Sequence, residues 1–527
     1  MLSLTWLACA LVPLAPLVVA RPPVGLLAPP KQPPFGFEGS QAAARLATAP
    51  PVPNFFDQLL DHSNPSFGTF PQRFWFYDGY YEEGGPIVLF NAGEEDASGY
   101  TGYLQNGTIV GSIAYATGGA TIVLEHRYWG ASIPFADYST ANMKYFTIEN
   151  SVQDFAYFAQ NVVLPFSNGT NTTMAPPNVP WIVTGGSYPG ALAAYVKQTF
   201  PDLFYAAYAS SAPVQAISDF YGYFIPVANG APQNCSTDMK AVITHWDSVM
   251  SNGTKEEQLE LMSVFGLQNV THSVDAASAL QTVPWSWQNL GPAVGAHQEF
   301  FDFCDTLEVK DGVAAGPEGY GLEYALAQWG AWQLATNQQS CGDAFAGDSC
   351  WGTFDPDASF YTNVDPSNTY RPWMWLICTD LGFWQNGDPT APSIVSKQVT
   401  VEYWERQCPL WFPAEDGVSV PQLAPVAHVN KLYDGWNINQ DHLLFVNGEF
   451  DPWRSGSVSS ELPSAPKRQS TPQQPILLVK TGVHCWDMIT STAQANPNTR
   501  VVFDQVVAQM VEWMKEWNMV PARPPQN

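Results

Sequence analysis

The chain has 527 residues, 46% of them apolar and 14% aromatic, which is enough for a large core and more than one ordinary domain. Acidic side chains outnumber basic ones 48 to 21, giving a net charge of −27, and this argues against nucleic acid and anionic membrane surfaces as partners. No H-E-x-x-H or paired C-x-x-C spacing offers a metal site, so no metal or other cofactor is expected.

Residues 1–20 form one apolar run that ends in small residues and is followed by prolines, which reads as a secretory signal peptide. Residues 21–53 are rich in Pro and Ala and read as a flexible arm or propeptide. From Phe55 the pattern changes to short apolar runs and helical stretches. Buried strands are predicted over Pro86–Phe90, Ala120–Leu124 and Trp181–Thr184, with a helix over Ile148–Leu164. Hydrophobic strands on both sides of a helix argue for a parallel α/β sheet, assigned to residues 54–214. Residues 215–430 lack comparable strand runs and carry six cysteines. Helices are expected there over Asp238–Met250, Lys255–Phe265 and Leu322–Ala335. The strand pattern resumes in residues 431–527 with Leu443–Val446 and Ile476–Val479, ahead of an amphipathic helix over Val501–Trp517. The economical reading is an α/β-hydrolase fold interrupted by a helical, disulfide-containing cap domain.

The strand at Trp181 runs into Gly185-Gly186-Ser187-Tyr188-Pro189-Gly190 and then into a small-residue helix. A serine on that strand-to-helix turn projects its hydroxyl, and the backbone N–H of Tyr188 faces outward to receive an oxyanion. Pro189 stands where a second glycine is usual, and proline is tolerated in a first helical turn. A serine hydroxyl needs a neutral imidazole as base, and the imidazole needs a carboxylate to orient it. The late strands lead to both: Asp451 after Leu443–Val446, and His484 after Ile476–Val479. Glu449 and Asp487 compete for the acid role, with Asp487 read as an outer group. His126 precedes the serine, the wrong order for this fold, and reads as a structural group beneath the site. The second oxyanion donor is expected in the loop after Phe90, with Gly93 the candidate. Trp453 and Trp486 each lie two residues beyond a catalytic candidate and are the candidate walls of a substrate pocket.

The motifs Asn91–Glu95, Glu125-His-Arg-Tyr-Trp-Gly130, Gly185–Tyr188, Asn447–Trp453 and Gly482-Val-His484 together resemble the prolyl carboxypeptidase and dipeptidyl peptidase II family of serine peptidases. Within it the chain looks most like the secreted fungal branch that includes acid prolyl endoproteases. The resemblance implies Ser187 as nucleophile, Asp451 as acid and His484 as base, a helical insertion over the site, and cleavage on the carboxyl side of proline in peptides or proteins. It favours carboxypeptidase or endopeptidase action over dipeptidyl peptidase action. Arg127, Arg454, Glu94 and Glu95 are candidates for holding a substrate terminus. Two rival readings use the same residues: an esterase or lipase with this triad, and a hydrolase fold kept as a binding module.

A secreted or acidic vacuolar, lysosome-like compartment is expected. Glycosylation sequons stand at Asn106, Asn168, Asn171, Asn234, Asn252 and Asn269. Without Cys9, seven cysteines remain, an odd count that leaves one thiol free. Pairing is expected for Cys378 with Cys408, Cys341 with Cys350, and Cys235 with Cys304, with Cys485 free.

Overall fold

The computed structural model describes residues 52–167 and 174–519, so the signal-peptide and arm readings lie outside the described residues. Strands β1 (Asn54–Leu59), β2 (Thr69–Tyr77), β3 (Ile87–Asn91), β4 (Ala120–Leu124), β5 (Trp181–Gly186), β6 (Ala206–Ser210), β7 (Leu443–Gly448) and β8 (Ile476–Val479) form one sheet. Their order is β1-β2-β4-β3-β5-β6-β7-β8. The first two pairings are antiparallel and the others parallel. That order, with helices on both faces, is the α/β-hydrolase fold.

The central strands β3, β4, β5 and β6 are buried at every residue, as parallel strands covered on both faces must be. Helices α1 (Ile109–Thr117) and α9 (Pro497–Met519) cover one face. Helices α2 (Ile148–Asn161) and α3 (Tyr188–Thr199) cover the other. Each packs an apolar stripe on the strands, for example Val506, Met510 and Trp513 of α9.

Between β6 and β7 the chain leaves the sheet and builds a mainly helical region. Its helices include α4 (Gln233–Asn252), α5 (Lys255–Val264), α6 (Glu299–Glu308), α7 (Leu322–Cys341) and α8 (Tyr370–Leu376). A short parallel pair, Ile217–Asp219 with Gly382–Trp384, ties the start of this region to its later part. Disulfides join Cys235 to Cys304, Cys341 to Cys350 and Cys378 to Cys408, and Cys485 is free and buried.

Candidate active site

β5 delivers Ser187 onto a turn with φ 65° and ψ −134°, a left-handed conformation costly for any residue but glycine. The turn is held because the Ser187 N–H donates to the Ser210 carbonyl of β6 at 2.8 Å. Two glycines let the chain pass. A Cβ on Gly185 would lie 2.3 Å from the Pro189 carbonyl oxygen, and one on Gly190 would lie 2.7 Å from that of Ser210. The glycine that follows Pro189 thus serves close packing of α3 on β6. Tyr188 is the first residue of α3, where N–H groups lack an intrahelical acceptor and point at incoming negative charge.

The loops after β7 and β8 bring the other two groups to this turn. His484 Nε2 lies 2.8 Å from Ser187 Oγ, and His484 Nδ1 lies 2.8 Å from Asp451 Oδ1. The same carboxylate oxygen accepts the Trp453 N–H at 2.9 Å, which fixes its direction. All three side chains are buried: Ser187 and Asp451 are 0% exposed and His484 is 6% exposed. Burial works against the imidazolium, but the adjoining Asp451 carboxylate outweighs it and holds His484 well above the ordinary histidine range. A serine, an imidazole and a carboxylate in this chain of contacts can carry out acyl transfer.

The other candidates fall in different places. Asp487 accepts hydrogen bonds from Tyr208 Oη and from Ser210 Oγ (2.7 Å), behind the serine turn. Glu449 accepts the Thr481 N–H at 2.8 Å and so links the two catalytic-candidate loops. His126 lies 3.2 Å from Tyr188 Oη, and burial lowers it to about 4, so it stays neutral beneath the turn. Cys485 packs under the same turn, where a Cβ on Gly186 would come within 3.1 Å of its sulfur, and burial pushes its thiol up.

Four expectations change. The Gly93 N–H donates to Asn91 Oδ1 at 2.8 Å, closing a local turn, so this amide is committed within its own loop. Trp453 has no exposed surface: its ring fills a socket among Phe220, Tyr223 and Phe383, so it is a buried packing group and not a pocket wall. Arg127 is fully buried, pairs with Asp154 and donates to the Leu59, Leu60 and Tyr145 carbonyls, which spends it on holding β1 and α2. Arg454 is spent likewise on the Ser459 and Glu449 carbonyls and on Glu461. Trp486 is half-buried, with its indole N–H donated to the Leu290 carbonyl at 2.6 Å. Glu94 is buried in the loop after β3, and Glu95 is half-buried.

Asn106, Asn252 and Asn269 are exposed, and Asn234 is half-buried with its amide on the Ala315 carbonyl. Asn168 and Asn171 lie outside the described residues. Sequence reasoning missed Gln288, whose side-chain oxygen accepts from the Trp453 indole and from Tyr223 Oη, at 3.0 Å each. It stands in no motif, and only the fold brings it near the Asp451 loop.

A family model described as Serine carboxypeptidase S28 matches residues 58–289 and 332–505. The chain is 36% identical over 479 residues to serine protease vicPa of Bipolaris victoriae (strain FI3), covering 88% of this chain and 89% of that protein. It is 34% identical over 478 residues to serine protease vicPb of the same organism, with 88% and 89% covered. A probable extracellular serine carboxypeptidase of Arthroderma benhamiae (strain ATCC MYA-4681 / CBS 112371) is 30% identical over 480 residues, with 86% of this chain and 64% of that protein covered.

Proposed function

The chain belongs to the serine carboxypeptidase S28 family, and from that premise we propose that it is a secreted peptidase cleaving on the carboxyl side of proline with Ser187, His484 and Asp451. The observation that carries this reading is the position of His484, 2.8 Å from both Ser187 Oγ and Asp451 Oδ1.

In this reading Ser187 Oγ attacks the scissile carbonyl carbon while its proton passes to His484 Nε2. Asp451 holds the Nδ1–H tautomer and stabilises the imidazolium. The tetrahedral oxyanion receives the Tyr188 N–H at the start of α3. Collapse breaks the C–N bond, and the leaving amine takes the proton from His484 Nε2, leaving an ester on Ser187. Water then gives a proton to His484 and adds to the ester; release of the carboxylic product returns that proton to Ser187.

Proline selection rests on the motif resemblance. A pyrrolidine ring asks for rigid apolar walls and no hydrogen bond. Secretion is supported by the extracellular relative and by the disulfides.

The deciding experiment compares turnover of a proline-anilide peptide and its alanine counterpart with simple acyl esters, beside Ser187 labelling by a fluorophosphonate. Preference for the proline anilide with labelling is the expected result. Ester-only turnover would sink the peptidase reading, and an unlabelled, inert protein would favour a binding role. Mass spectrometry of a long proline-containing peptide after digestion then separates removal of terminal residues from internal cleavage.

A further inference from the structure

Three tryptophan N–H groups tie one short segment of the helical region to both loops that carry the base and the acid. The segment is Trp287–Leu290, placed between the disulfide-bonded helices α4 and α6 in the chain. Trp287 donates its indole N–H to the Phe450 carbonyl at 2.8 Å, one residue before Asp451. Trp453, two residues after Asp451, donates to the Gln288 side-chain oxygen at 3.0 Å. Trp486, two residues after His484, donates to the Leu290 carbonyl at 2.6 Å.

The packing around these bonds is tight. A Cβ on Gly230 would lie 2.6 Å from Phe450 Cγ and equally close to Trp287 Cζ2. The Trp287 ring packs edge-on against Phe300 of α6 at 4.9 Å, which joins the segment to the helical region. Trp453 is also the residue whose backbone N–H holds the Asp451 carboxylate. One residue thus grips the acid with its main chain and the helical region with its ring.

We propose that the Trp287–Leu290 segment is a clasp that positions Asp451 and His484, so that the triad is aligned when the helical region is seated and loosened when it lifts. Gln288, Trp453 and Trp486 are then positioning residues for the peptidase reaction. This rests on Ser187, His484 and Asp451 being the catalytic unit. Ser187 and His484 are buried, so in this reading substrate entry needs movement around them, and return of the helical region to the clasp restores the aligned site. Alignment errors of about 1 Å cost roughly 100-fold in rate, so bonds made outside the reacting groups can govern kcat.

The test uses the full-length enzyme with Trp486→Phe, which keeps a ring and removes the N–H, and Gln288→Leu, which removes the shared acceptor. Expected is a fall in kcat of between about 10- and 100-fold in each, the scale of a misplaced catalytic group. KM should change little, and the acid limb of the kcat/KM–pH profile should move to lower pH as His484 loses its hold on Asp451. Gln288→Glu, which keeps an oxygen between the two donors, should recover most of kcat. Wild-type kcat and an unmoved acid limb in both variants overturn the clasp, as does a loss that follows unfolding in near-ultraviolet circular dichroism. A Ser187→Ala control that remained active would bring down the triad reading itself, a result separable from failure of the clasp.

Discussion

The sheet and the helical region over it reach stability by different means. Strands β3 to β6 are buried on both faces, and their backbone groups are paired strand to strand. Among the described residues all three disulfides lie in the helical region, whose helices are joined by aromatic loops. A continuous sheet sets the position of the Ser187 turn through hydrogen bonds that are hard to shift. Helices joined by side-chain contacts are held less firmly. Ser187 stands on the first kind of support, whereas the Asp451 and His484 loops lean on the second as well.

The largest expected effect lies at Ser187 and His484. Ser187→Ala or His484→Ala should each lower kcat by roughly 10⁴- to 10⁶-fold, and the double variant should be little worse, as for groups that act as one unit. Losses that simply add in single-turnover kinetics would separate the two residues and break the comparison. Next is Asp451→Asn, expected to cost about 10⁴-fold in kcat because the imidazole loses its oriented tautomer. The carboxylate holds His484 raised, and His484 acts as a base only when neutral. Activity therefore falls as pH drops through the His484 pKa, and removing the carboxylate should move that limb to lower pH. A limb unchanged in the variant would assign it to another group.

The helical region gives the smaller effects. Replacing Cys235 and Cys304 with Ser should cost about 2–5 kcal/mol of stability, the usual loss for a native bridge. Thermal unfolding followed by fluorescence should then show the aromatic helical region melting ahead of the sheet, and a single unchanged transition would contradict the division drawn above. The smallest effect concerns a buried carboxyl pair one turn beyond that bridge. Asp238 of α4 accepts the Tyr320 N–H at 2.9 Å, while burial and the nearby Asp238 push Glu308, at the end of α6, from 4.5 up to about 7. A carboxyl raised in the folded state contributes its full stability below about pH 4.5, and that contribution is lost as pH rises through about 7. Glu308→Gln should therefore raise the melting temperature near pH 7.5 by about 1 °C and leave it unchanged near pH 4, a shift of about 1 kcal/mol or less. An equal change at both pH values would show that the pair does not titrate with folding.

The central strands could be read in the sequence because their apolar runs and the turns after them carry one message. Strands β4 and β8 have the predicted bounds. Strand β6, Ala-Ala-Tyr-Ala-Ser, was hidden because small residues that let α3 approach it also favour helix. Strands β1 and β2 were hidden because their alternation is broken by exposed Phe55 and by Pro71, which sits on an antiparallel pair outside the parallel core. The serine turn and the two late loops stood out because glycine, serine, aspartate and histidine follow strands in the order the fold uses. Gly93, Trp453 and the arginines were misjudged for one reason. Sequence distance places a residue near the site but does not tell which partner its polar atoms have already taken.

The burial of Ser187 bears on what the proposed peptidase would digest. With Ser187 as nucleophile, a hydroxyl that has no accessible surface would be out of reach of a peptide bond held inside a folded domain. Slack, extended stretches would be its substrates, and intact neighbours, including further copies of this chain, would be spared by their own rigidity without need of an inhibitor.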